Sequence, residues 1–93
     1  MSKRATIHNK RDANEESIKL ALAQMGIATF EGGPLDFWAF VGQWFPVEVK
    51  MPEGTLTEGQ QAFVDLCEDR GWPYRIWRSA EEAVASVQAL RKL

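Results

Sequence analysis

Asp36-Phe37-Trp38-Ala39-Phe40-Val41-Gly42-Gln43-Trp44-Phe45-Pro46-Val47-Glu48-Val49-Lys50 is a pair of apolar, aromatic and β-branched runs parted by Gly42-Gln43, the pattern of a β-hairpin. Side chains of an extended strand alternate faces. Val47 and Val49 therefore pack on one side, while Glu48 and Lys50 share the other. Register decides where Asp36 falls. If Gly42-Gln43 is a two-residue turn with Val41 opposite Trp44, Asp36 opposes Val49 and points away from Glu48 and Lys50. A three-residue connection, or one bulge, returns Asp36 to their face; Pro46, which cannot donate to a ladder, is a suitable place for such an irregularity. The odd register is the expectation.

Outward from the hairpin, the pattern alternates between helical and extended periods. Residues 1–11 are polar and basic without periodicity and read as a flexible arm; residues 12–93 read as one domain. Asp12 with Glu15 three positions later suggests a capping box for a first helix, whose Ile18, Ala21, Leu22 and Met25 form a buried stripe ended by Gly26. Residues 27–30 predict a first strand, broken by Gly32-Gly33-Pro34 before the hairpin. After a loop carrying Pro52 and Gly54, Thr57 and Gln60 cap a helix running to Arg70 and stopped by Gly71. Residues 72–78 predict a fourth strand. Ser79 and Glu82 cap a last helix with Ala83, Val84, Val87 and Leu90 inward. The order αβββαβα implies an α/β fold, a mixed four-stranded sheet flanked by helices, with a right-handed crossover between the last two strands.

The 93-residue chain, 45% hydrophobic, suits a single small core. Trp38, Phe40, Trp44 and Phe45 crowd one short segment, more aromatic surface than such a core absorbs, which predicts a homodimer formed near the hairpin. The formal charge of −2 is low for a protein that touches nucleic acid, but Lys3, Arg4, His8, Lys10 and Arg11 gather at one end. One cysteine, Cys67, excludes an intrachain disulfide and structural zinc, and on a helix four residues after Phe63 it reads as a small core residue. No apolar run reaches membrane-spanning length, and a cytoplasmic setting fits best.

Asp36 and, twelve residues on, Glu48-Val49-Lys50 supply the parts for metal-assisted phosphodiester cleavage. Two carboxylates suit a hard cation such as Mg²⁺, with Mn²⁺ as a substitute, and the Val49 carbonyl is a third oxygen ligand. The Lys50 ammonium orients an attacking water or offsets phosphate charge. A Glu-Val-Lys tripeptide by itself is more often a solvated face with a weak ion pair, and an aspartate after Gly-Gly-Pro is often a turn group. Lys10 and Arg11, with His8, are candidate phosphate clamps; Arg75 and Arg78 are further ones.

Five blocks carry a family resemblance. They are Lys10-Arg11-Asp12-Ala13-Asn14-Glu15, Gly32-Gly33-Pro34-Leu35-Asp36, Val47-Glu48-Val49-Lys50, Leu56-Thr57-Glu58-Gly59-Gln60-Gln61-Ala62-Phe63, and Tyr74-Arg75-Ile76-Trp77-Arg78-Ser79 leading into Ala80-Glu81-Glu82-Ala83. Together they resemble the VRR-NUC (virus-type replication-repair nuclease) family, a branch of the restriction-endonuclease-like PD-(D/E)XK nucleases. Leu35 between Pro34 and Asp36 departs from that family's pattern. The resemblance implies a restriction-endonuclease-like core, a metal-dependent endonuclease acting on branched DNA such as four-way junctions or flaps, and dimers. It also implies a supporting glutamate on the first helix, Glu15 or Glu16, and a glutamine at the site, Gln60 or Gln61. Glu15 is preferred because it lies three residues before Ile18, and Gln60 because it lies three before Phe63; each also has a capping role open to it.

Overall fold

A computed structural model describes the backbone of residues 10–93 and the side chains from residue 13 onward. Three helices and four strands follow one another as α1 (Lys10–Gln24), β1 (Thr29–Glu31), β2 (Phe37–Phe40), β3 (Trp44–Val49), α2 (Glu58–Arg70), β4 (Arg75–Trp77) and α3 (Ala80–Arg91). The sheet order is β1-β2-β3-β4, with the first two pairings antiparallel and the last parallel. The mixed four-stranded α/β arrangement expected from the periodicities is therefore present.

Several boundaries differ, and the fourth strand, expected over residues 72–78, is confined to Arg75–Trp77. The first helix begins at Lys10, so Asp12 lies inside it and not at its N-cap. Lys10 and Arg11, assigned above to the arm, join the helix, since both are good helix formers and no Gly or Pro interrupts them. Residues 1–9, including His8, lie outside the described residues. At the other end of α1, the Ile27 N–H donates to the Leu22 carbonyl at 2.9 Å as a helix-closing bond, so β1 starts at Thr29, after the expected residue 27.

Phe40 pairs with Trp44 and Phe37 with Val47, leaving residues 41–43 as a three-residue connection. Gly42 takes the left-handed conformation there (φ 80°). This is the odd register, and its extra residue sits in the turn; Pro46 stands in regular pairing opposite Trp38. The Asp36 N–H donates to the Val47 carbonyl at 2.9 Å and carries the ladder one residue further, toward Glu48.

Alternation then sorts the hairpin into two faces. Phe37, Ala39, Phe45, Val47, Val49 and Trp77 pack with Ile18 and Leu22 of α1 and Ala83 and Val87 of α3, all buried. On the reverse face, Phe63 and Cys67 of α2 share a cleft with Trp38, Trp44 and Pro46. Helix α2 is held at both ends by local chemistry. Thr57 and Gln60 form the reciprocal capping box, and Gly71 closes the other end at φ 70° with its N–H on the Cys67 carbonyl. Nothing lies within 4 Å of a Cβ built on Gly71, so Gly71→Ala isolates the backbone cost. A loss of about 1–2 kcal/mol in urea unfolding is expected; no change would mean that the cap relaxes to another conformation.

Candidate active site

Glu48 is fully buried in the middle of the sheet, and Lys50 is 8% exposed. Taking a carboxylate out of water costs several kcal/mol unless partners offset it. Two of them converge on one oxygen: Lys50 Nζ lies 3.3 Å from Glu48 Oε2, and Gln60 Nε2 donates to the same oxygen at 2.8 Å. The period-two spacing of β3 brings the ammonium to the carboxylate. The N-terminal turn of α2 brings the amide.

Gln60 has two duties. Its Oε1 accepts the Thr57 N–H at 2.9 Å while its amide nitrogen reaches Glu48, so the cap orients the group that touches the buried acid. Gln61 faces away and donates to Asp65 within its own helix at 2.8 Å. Gln60, preferred on its spacing before Phe63, is the glutamine whose amide reaches Glu48.

Asp36 is half-buried, and its Oδ2 accepts the Val49 N–H at 2.7 Å. A short, charge-assisted bond of this kind fixes the carboxylate at the strand edge. The carbonyl of Val49, the candidate third oxygen ligand, belongs to the next peptide along from the one that Asp36 holds.

Glu15 faces another partner. Its Oε2 lies 3.0 Å from Lys19 Nζ, one turn along α1, and Lys19 also bonds Glu31 and sits 5.1 Å from the centre of the Phe37 ring. Partial burial works to lower the Lys19 pKa, but hydrogen bonds and charge from Glu31 and Glu15 outweigh it and raise the pKa. Glu16 is exposed. Lys10 and Arg11 open α1, and their side chains lie outside the described ones.

The two arginines of the last strand segment are used internally. Arg78 Nη1 donates to the carbonyls of Met51 at 2.9 Å and Gly54 at 2.8 Å. Arg75 donates to Ser86 Oγ at 3.3 Å and to the Tyr74 carbonyl at 2.8 Å. One site neighbour escaped the sequence reading: Asn14 Nδ2 donates to the carbonyls of both Lys50 and Arg78 at 3.1 Å. Its side chain had no distinguishing local signal, because a helical Asn is ordinarily solvated or a cap.

Among the described residues no three His, Cys, Asp or Glu side chains are placed to hold a metal ion; two acids, Asp36 just before β2 and Glu48 on β3, stand across the hairpin from each other. Mg²⁺ asks for no more than one or two carboxylates and retains waters for the rest of its shell. Cys67, by contrast, is 1% exposed, and burial followed by the charge of Glu68 raises its thiol pKa. Its reaction with a thiol reagent at neutral pH should run at least ~100-fold slower in the native protein than in urea, because it waits on opening of the fold. Equal rates would show an accessible thiol.

No helix among the described residues is long and apolar enough to cross a membrane. Comparison with known proteins gives no matching family, no matching curated protein and no matching solved structure.

Proposed function

We propose that this chain is a divalent-metal-dependent DNA endonuclease with a restriction-endonuclease-like core, hydrolysing phosphodiester bonds in branched DNA such as four-way junctions or flaps. The observation that carries the reading is the odd hairpin register, which sets Asp36 on the strand beside Glu48 while Lys50 and Gln60 lie 3.3 and 2.8 Å from the Glu48 carboxylate. The resemblance to VRR-NUC nucleases supports the substrate class.

Asp36 and Glu48 would hold Mg²⁺ or Mn²⁺ with the Val49 carbonyl. When bound, such an ion supplies an activated water and offsets charge on the phosphate oxygens. The chain's own groups do the rest. Lys50 orients the attacking water and stabilises phosphate charge, Gln60 keeps the Glu48 carboxylate aimed, and Asp36 is fixed by the Val49 N–H. The resemblance would give Glu15 a supporting role on the first-helix side, whereas its carboxylate pairs with Lys19; Lys10 and Arg11 would contact phosphates at the start of that helix. A homodimer would give paired cuts; the exposed rings of Phe30, Phe40, Trp44 and Trp72 supply its contact surface.

The test is cleavage of labelled duplex, flap and four-way DNA with Mg²⁺ or Mn²⁺, against the same mixtures in chelator. Cutting of the branched substrates that vanishes with the metal is expected. A second reading has one observation in its favour. The full burial of Glu48 between Lys50 and Gln60 suits a structural ion pair in a binding module that cuts nothing. Metal-independent binding of the same DNA without cleavage would favour it.

A further inference from the structure

Lys50 is the first residue after β3, and both sides of its backbone are tied to distant parts of the chain. Its N–H donates to the Trp77 carbonyl at 3.1 Å. Its carbonyl accepts one bond from Asn14 Nδ2, which also lies 3.1 Å from the Arg78 carbonyl. An amide nitrogen has two hydrogens, and this one spends both on the peptides where β3 and β4 end.

Arg78 then holds the loop that follows. Its Nη1 meets the carbonyls of Met51 at 2.9 Å and Gly54 at 2.8 Å, with Pro52 at 3.5 Å. The Gly54 N–H closes on the Met51 carbonyl at 2.9 Å, and the Lys50 Cβ would lie 3.7 Å from a Cβ built on Gly54. The loop is thus wound around a guanidinium and against the base of the lysine.

We infer that Asn14 and Arg78 are positioning residues, which hold the Lys50 ammonium at the Glu48 carboxylate by fixing the backbone that carries it. The catalytic meaning of this role rests on the nuclease reading; the placement itself does not. A lysine has a long flexible stem, so its head can be held at one carboxylate oxygen only if its root does not drift. Lys50 stands where a strand becomes a Pro- and Gly-bearing loop, the kind of place where drift is easiest. One guanidinium nitrogen that meets several carbonyls, and an amide that bridges two strand ends, remove it.

The experiment is NMR of the full chain labelled with ¹⁵N at the lysine side-chain nitrogens, with the Lys50 resonance identified by its loss in Lys50→Met. Asn14→Ala and Arg78→Met should each shift or broaden that resonance. Arg78→Lys, which keeps a charged donor on a shorter side chain, should produce a smaller change. Gly71→Ala, destabilised at a remote cap, should leave the resonance in place. With branched DNA and Mg²⁺, kcat should fall about 10- to 100-fold in Asn14→Ala while KM holds, the signature of a misplaced group.

An unmoved Lys50 resonance in Asn14→Ala and Arg78→Lys overturns the assignment, as does an equal displacement by Gly71→Ala. Those two variants decide the matter if Arg78→Met does not fold. If the native chain cuts no DNA and the resonance still moves, the nuclease reading fails and the positioning stands.

Discussion

Asp36→Asn is expected to abolish metal-dependent cleavage while the protein stays folded. The asparagine Oδ1 can still accept the Val49 N–H now bonded at 2.7 Å, so the strand edge keeps its geometry and stability should change by no more than about 1 kcal/mol. The charge is gone. With one of two cation-binding carboxylates neutral, the rate should fall at least about 10³-fold, no less than is lost when an oxyanion-hole donor is removed. Mg²⁺ titration by calorimetry should lose its site-specific heat in parallel. Cleavage that persists within tenfold of the native rate, in a folded protein, would remove Asp36 from the site and end the proposal that it holds a metal.

Lys50→Met should be the most destabilising single change at the site. Methionine fills much of the same volume but takes away the ammonium 3.3 Å from a carboxylate that has no exposure to water. Removing one partner of a buried pair costs about 3–5 kcal/mol, because the remaining charge keeps its desolvation penalty. Domains of this kind have only about 5–15 kcal/mol in total, so the urea midpoint should drop sharply with an unchanged slope. Glu48→Gln combined with Lys50→Met should recover most of the loss, since neither member then carries an unmatched charge. A penalty below about 1 kcal/mol for Lys50→Met, the scale of an exposed pair, would mean that water reaches the Glu48 carboxylate in solution.

The two predictions separate catalysis from folding at one place. Asp36 should matter to the reaction and little to stability. Lys50 should matter to both, so its loss of activity is interpretable only beside its stability and beside the Asn14 and Arg78 variants, which leave the lysine itself intact.

Much of the fold was legible because it is written locally. The Thr57/Gln60 box, the Gly71 stop and the Ser79 cap with Glu82 all appear where spacing put them, each resting on contacts within a few residues. The alternation of Val47 and Val49 against Glu48 and Lys50 is equally local. The first helix start was less legible. Asp12 has cap chemistry, but the two basic residues before it extend the helix to Lys10.

What the chain alone determined, then, was the element order, the two faces of β3 and the pairing of Glu48 with Lys50 on one of them. These follow from backbone periods of 3.6 and 2 and from capping bonds that span three or four residues. Tertiary structure decided the rest. The three-residue connection at 41–43 brought Asp36 beside Glu48, the rotation of α2 laid the Gln60 amide on Glu48, and the packing of α1 gave Glu15 to Lys19 and Asn14 to Lys50. Such outcomes depend on register and on helix rotation, which are selected by burial summed over distant segments, and a one-residue slip in either would have exchanged every partner named.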